Sequence, residues 1–194
     1  MQTLSVIVVS YNTRDLTRAC LESVYRETAL LDFEVIVVDN ASEDGSADMV
    51  RAEFPQARLL ALEENVGFAA ANNRAAAEAT GRYILLLNPD TVVLDGAIHT
   101  LVAFAEAHPE YGIYGGSTFF GDGSRNPTAG WNRPTAWSLF CVATGLARLL
   151  PGSRLFDPES LAGWSWDAPR AVDIVTGCLF LTTRAHWDAL GGFD

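Results

Sequence analysis

Leu4-Ser-Val-Ile-Val-Val-Ser10 is an almost continuous apolar run, rich in β-branched residues and too short for a helix of ordinary length. A strand covered on both faces reads this way, because neither side of it meets water. A polar turn follows at Tyr11-Asn12-Thr13, where Asn12 or Thr13 can cap a helix. Leu16, Ala19, Cys20, Leu21 and Val24 then recur at helical spacing. The same unit begins again at Phe33–Val38 (FEVIVV), followed by the polar turn Asp39–Ser46 (DNASEDGS) and a short helix that must stop at Pro55. Residues 58–62 read as a third strand and 69–80 as an alanine-rich helix, with Gly81 where a helix end wants a positive φ. Tyr83–Leu87 (YILLL) is a further buried strand, and Ile98, Leu101, Val102, Phe104 and Ala105 form one more helical face before Pro109. Alternating strands and helices predict an α/β fold: a mostly parallel central sheet flanked by helices, with right-handed crossovers.

In such sheets ligands bind at the carboxyl ends of the strands. The turns at 10–12, 39–46 and 88–91 all fall there. The first carries no G-x-G-x-x-G and no P-loop, so a backbone phosphate cradle after strand one is not expected. Tyr11 offers a flat face for stacking a base, or simply covers the sheet edge. Asp39 ends a buried strand on the ligand side and accepts hydrogen bonds only, as from a base N–H or a ribose hydroxyl. Ser42, Asp44 and Ser46 read as turn and cap residues. Asn88-Pro89-Asp90 offers a carboxylate to a divalent cation, or is a turn. Asn65 and Gly67 form a turn before a helix carrying Asn73.

Beyond residue 112 the pattern loosens into a glycine-punctuated stretch with a hairpin signal at Asp122-Gly123. The run 136–150 (AWSLFCVATGLARLL) is strongly apolar. It reads first as a buried helix or an oligomer contact, and second as an element docking on the cytoplasmic membrane. The aromatic residues of 131–166 read as a packed lobe, and 172–182 as one more strand.

With 194 residues, 49% hydrophobic and 19% charged, the chain has room for one well-packed domain and is not disordered. Thirteen basic against 24 acidic residues give a net charge of -11, which argues against a sequence-independent hold on nucleic acid. Cys20, Cys141 and Cys178 are far apart and odd in number, so no disulfide framework or zinc site is expected, which suits a cytoplasmic protein. No leader segment and no run of about 18 apolar residues stands out. His99, His108 and His186 lack metal-ligand spacing, and no G-x-S-x-G occurs.

VIVVSYN, VIVVDNASEDGS, NVGFAAANN, YILLLNPDT and VTGCLFLTTRAHWDALGGFD follow one another in an order that resembles the family 2 glycosyltransferases, and within them the bacterial rhamnosyltransferase-like branch. Each motif alone is common, but the five in register cover essentially the whole chain. The resemblance implies a GT-A fold with a Rossmann-like nucleotide-binding sheet. It also implies inverting transfer of a sugar from a nucleotide-diphosphate donor, dTDP-rhamnose or a UDP-sugar, to a glycan or lipid-linked acceptor in cell-surface polysaccharide synthesis. Carried over residue by residue, Tyr11 and Asp39 hold the base, with Ser10, Asn12 and Asn40 beside them. Asn65, Gly67 and Asn73 line the donor pocket. Asn88 stands at the first position of the family's D-x-D motif. Asp90 stands at its last and binds the metal, Mg²⁺ or Mn²⁺, that bridges the diphosphate. Thr176 and Gly177 match the segment beside acceptor and sugar.

Two positions depart from the family pattern: Asn88 replaces an aspartate, and Ala75 stands where glycine is frequent. The family's general base lies in an acidic pair downstream of GGFD, whereas the sequence stops at Asp194. The reading is therefore one glycosyltransferase domain, truncated at its C-terminal end. Residues 1–111 form the donor half and 112–194 a partial acceptor half. The base is expected beyond Asp194, with Asp167, Asp173 and Asp194 as candidates only by exclusion. The alternative is a nucleotide-sugar binding fragment without turnover. A sugar nucleotidyltransferase would want a Gly-rich basic loop after strand one, which SYNTRD does not provide. Arg74 and Arg125 are further candidates for countering diphosphate charge.

Overall fold

The computed structural model describes residues 2–126, 128–161 and 164–194. The chain divides into two compact units, Met1–Gly116 with Gly177–Asp194, and Ser117–Thr176. In chain order the first unit holds β1 (Leu4–Ser10), α1 (Arg14–Glu27), β2 (Phe33–Asp39), α2 (Ser46–Glu53), β3 (Arg58–Ala61), α3 (Phe68–Glu78), β4 (Tyr83–Leu87), α4 (Ala97–Ala107) and β5 (Ile113–Gly115). The second unit holds β6 (Gly130–Trp131), α5 (Ala136–Ala143), α6 (Leu146–Leu149) and β7 (Ile174–Val175). The first unit resumes with β8 (Leu179–Thr183) and α7 (Arg184–Leu190).

The first unit is a six-stranded sheet in the order β3-β2-β1-β4-β8-β5. Its strands β3, β2, β1 and β4 are parallel, while β8 runs antiparallel to both of its neighbours. Successive side chains leave a strand on opposite faces, so β1 serves two cores at once. Leu4, Val6 and Val8 join Cys20, Leu21 and Val24 of α1, Met49 and Val50 of α2, and Ile98 and Val102 of α4. Ile7 joins Ala71, Ala75 and Ala76 of α3 and Trp187 of α7 on the other side. Each fully buried Val, Leu or Ile contributes roughly 1.5–3 kcal/mol.

Four expectations change. Leu16 is half exposed, and Thr17 takes its place on the buried face of α1, where the Thr17 hydroxyl is bonded to Ser10 Oγ at 2.9 Å. Gly81 does not adopt a positive φ. It is small because β1 passes against it: a Cβ there would lie 2.5 Å from Ser5 N and 2.6 Å from the Leu4 carbonyl carbon. The segment 172–182 is not one strand but two, β7 and β8, which belong to different sheets. The run 136–150 is not a buried helix, because α5 and α6 expose most of their apolar side chains.

The second unit is smaller. β6 and β7 pair antiparallel, and Phe119 bridges Arg125 across the Asp122-Gly123 turn, where Gly123 has φ +81°. Thr135 and Ser138 cap α5 reciprocally, each side chain accepting the other's backbone N–H. Trp164 and Trp166 stack with centroids 3.9 Å apart.

Candidate functional site

The adjacent parallel strands β2, β1 and β4 end at Asp39, Ser10 and Leu87, so the three polar turns leave one edge of one sheet. Ser10 lies in register with Asp39. The Ser10 hydroxyl is turned inward, bonded to Thr13 Oγ1 (3.0 Å) and Thr17 Oγ1 (2.9 Å), and anchors the start of α1. Tyr11, one residue on, is 50% exposed and leaves its ring open to a ligand.

Asn12 takes the left-handed conformation (φ 53°), which asparagine tolerates better than most residues. From there it braces the second turn. Its N–H donates to Ser42 Oγ (3.0 Å), and its Oδ1 accepts the Glu43 N–H (2.8 Å). Asp44 closes the brace from the other side, accepting the Arg14 N–H through Oδ2 (2.8 Å) and both Ser46 N–H and Oγ–H through Oδ1 (3.0 and 2.5 Å). Ser42 and Asp44 thus do more than shape their own turn. Their signal in the sequence was only the Ser/Asp density of DNASEDGS.

Burial works to raise the Asp44 carboxyl, but the hydrogen bonds from Ser46 and Arg14 outweigh it and hold the group below its ordinary 3.8. A depressed carboxyl stabilises the folded state above its unfolded value and loses that contribution as pH falls through its folded value. Wild type should therefore melt higher than Asp44→Ala at neutral pH, and the gap should close as the pH drops below 3.8. A gap that persists in strong acid in thermal melts would refute this role for the charge.

Asp39 is 3% exposed. Its Oδ2 accepts the Ser42 N–H at 3.1 Å, while its Oδ1 is buried with no hydrogen-bond partner among the described residues. A buried acceptor without a donor costs about 1–3 kcal/mol, more if charged, so a ligand donor is what this atom lacks.

Asn40 and Asn65 are knotted together. Asn40 Nδ2 donates to Asn65 Oδ1 (2.9 Å), Asn40 Oδ1 accepts the Val66 N–H (3.0 Å), and Asn65 Oδ1 also accepts the Gly67 N–H (2.9 Å). These bonds lash the turn before α3 to the end of β2. Gly67 sits at φ 82°, ψ 167°, a region essentially reserved for glycine. The Asn73 amide is engaged elsewhere. Its Nδ2 donates to the Phe193 carbonyl (2.8 Å) and its Oδ1 accepts the Phe193 N–H (2.9 Å), so it pairs with that backbone as a neighbouring strand would.

Asn88 is held through its backbone. Its N–H donates to the Cys178 carbonyl (3.1 Å), and its own carbonyl accepts the Thr91 N–H (3.2 Å). Asp90 is exposed. Burial first, and the Asp90 charge second, push the Cys20 thiol up to about 12, so Cys20 is a core residue and not a nucleophile. Among the described residues no group of three His, Cys, Asp or Glu side chains could hold a metal ion. Asp90 alone fits a cation only where substrate oxygens and water complete the shell, the mode in which Mg²⁺ is usually held beside phosphates.

The remaining candidates scatter. Gly177 is exposed in the first unit, while Thr176 lies in the second, its N–H donating to the Ala129 carbonyl (3.1 Å). Asp173 Oδ2 accepts the Arg133 N–H (2.8 Å), and Asp167 Oδ1 accepts from Ser165 Oγ (2.5 Å). Asp194 and Arg74 are exposed. The Arg125 guanidinium lies over the Phe119 ring (5.1 Å) and the Trp166 ring (5.5 Å).

Known proteins are similar to the chain in sequence and in fold. It is 29% identical over 116 residues to the UDP-Glc:alpha-D-GlcNAc-diphosphoundecaprenol beta-1,3-glucosyltransferase WfaP of Escherichia coli, covering 59% of the chain and 45% of the relative. Its fold is similar to that of the mannosyltransferase PcManGT from Pyrobaculum calidifontis, solved with GDP-Man and Mn²⁺. There the TM-score is 0.64 at 24% identity, over 100% of the chain and 48% of the neighbour. S. aureus TarS 1-349 with UDP has a TM-score of 0.51 at 26% identity, over 57% of the chain and 34% of the neighbour. The chain spans less than half the length of these curated relatives that it matches. The sheet is that of the GT-A glycosyltransferases, and no helix among the described residues is long and apolar enough to cross a membrane. Residues 5–165 match the family described as glycosyl transferase family 2, and the chain belongs to that family.

Proposed function

We propose that the chain supplies the donor site of an inverting glycosyltransferase. It takes a UDP- or dTDP-sugar, dTDP-rhamnose foremost, and serves a glycan or lipid-linked acceptor in polysaccharide synthesis. The observation that carries this reading is Asp39 Oδ1, buried at the end of β2 and unpartnered among the described residues. The ring N3–H of uracil or thymine is a donor of the kind such an atom lacks. The half-exposed Tyr11 ring, one residue beyond the register partner of Asp39, supplies a stacking face for the same base. Asn12, Asn40 and Asn65 serve by holding the turns in place. Gly67 lets that chain turn, and Asn73 ties the middle of α3 to the Phe193 segment.

Asp90 is the residue that would hold a divalent cation together with donor phosphate oxygens. When bound, that cation supplies neutralisation of the charge that develops on the departing diphosphate. In a chain of net charge -11 that need is acute. Transfer with inversion also requires a base on the acceptor hydroxyl, so donor binding is separable from turnover. The second reading, a nucleotide-sugar binding module, differs only in that step.

Calorimetric titration of UDP and dTDP, each with and without Mg²⁺ or Mn²⁺, tests the donor site. Wild type should bind more tightly with the cation, and Asp90→Ala should lose that enhancement while keeping the weaker, cation-free binding. Failure of the folded chain to bind either nucleotide would sink the donor assignment.

A further inference from the structure

We infer that α5 and α6 form a surface that docks on an anionic phospholipid bilayer. The helix α5 is inside out. Ser138 and Cys141 are its buried residues, while Trp137, Leu139, Phe140 and Val142 face solvent, and Leu149 and Leu155 extend the patch with exposures up to 76%. The rings of Trp137 and Phe140 stack 5.5 Å apart, which makes the apolar face contiguous. Contiguous apolar surface of this kind marks an interaction site on a water-exposed protein.

Charge selects the occupant. From 136 to 156 there is no acidic residue, in a chain that carries 24 of them, and both charged residues in the stretch are arginines, Arg148 and Arg154. Both are exposed, and neither makes an ion pair among the described residues. The nearest carboxylate in sequence, Asp157, accepts the Gly152 N–H (2.8 Å). Residues 117–176 carry five basic and five acidic residues, so the whole net charge of -11 resides in the other unit. A second copy is a poor occupant. A two-fold contact would set these arginines against themselves. An anionic bilayer accepts both features, with Trp, Phe and Leu in the interface and arginine at the headgroups. This surface is independent of the nucleotide reading.

Co-sedimentation of the full chain with phosphatidylcholine vesicles, with and without phosphatidylglycerol, tests it. Wild type should pellet with the anionic vesicles and be released by salt. Arg148→Gln with Arg154→Gln should lower that partition roughly 30-fold. Leu139→Glu with Val142→Glu, and separately Leu149→Glu, should abolish it with the far-ultraviolet circular dichroism unchanged. No partition of the folded chain onto anionic vesicles overturns the inference, as does equal partition of the glutamate variants. A dimer that those variants dissociate, without lipid binding, also overturns it and identifies a second copy as the occupant.

Discussion

Alanine at position 39 is expected to weaken UDP and dTDP binding by roughly 10- to 100-fold, the size of one hydrogen bond to a charged acceptor, about 1.5–3 kcal/mol. The buried Oδ1 makes no hydrogen bond to the described residues of the free protein, so its loss appears in ligand affinity. The other oxygen holds the Ser42 N–H, so the variant also loses some order in that turn. Asparagine at the same position separates the two effects. With its oxygen kept on the Ser42 N–H, its amide nitrogen replaces Oδ1 and presents a donor where an acceptor stood. The imide N–H of uracil then meets another donor, while N3 of cytosine finds one. Calorimetry on Asp39→Asn should therefore show UDP weakened and CDP strengthened relative to wild type. If Asp39→Ala, shown to be folded, binds UDP as wild type does, the base is read elsewhere.

Gly81→Ala is expected to cost about 3 kcal/mol, at the upper end of overpacking substitutions. The added methyl would meet backbone of β1 at 2.5 and 2.6 Å, where no side chain can move aside. Glu34 and Ser5 tighten the same place. Ser5 Oγ donates to Glu34 (2.7 Å) and accepts the Gly81 N–H (2.9 Å). For a chain of this size the melting temperature should fall by roughly 6–12 °C. A shift within a degree of wild type in a thermal melt would show that β1 can yield.

These two residues mark where the sequence was and was not legible. β1, β2 and β4 announced themselves because strands buried on both faces have no polar alternation. The carboxyl edge followed from their order, and with it Asp39, Tyr11 and Asp90 as candidates. The reason for Gly81 was hidden, because a close approach between residues 76 positions apart leaves the same letter as a positive φ. Asn73 read as a pocket residue, since nothing local betrays a partner 120 positions away. The break inside 172–182 falls where the chain passes between units, a tertiary event without a turn signature beyond Thr176-Gly177. The apolar run 136–150 gave its composition correctly and its side wrongly. Its small Ser138 and Cys141 face inward, and its large residues do not.

The lacing between the first two turns bears on timing. Asn12, Ser42, Glu43, Asp44 and Arg14 form one cross-braced body, further tied by the Asn40 N–H to the Ser10 carbonyl at 2.8 Å. On the proposed donor reading, a nucleotide would meet two turns already braced against each other, with no ordering of those turns between encounter and capture. Arrival is then set by diffusion and charge, with little difference between one pyrimidine nucleotide and another. What separates the right base from the wrong one is how long each stays.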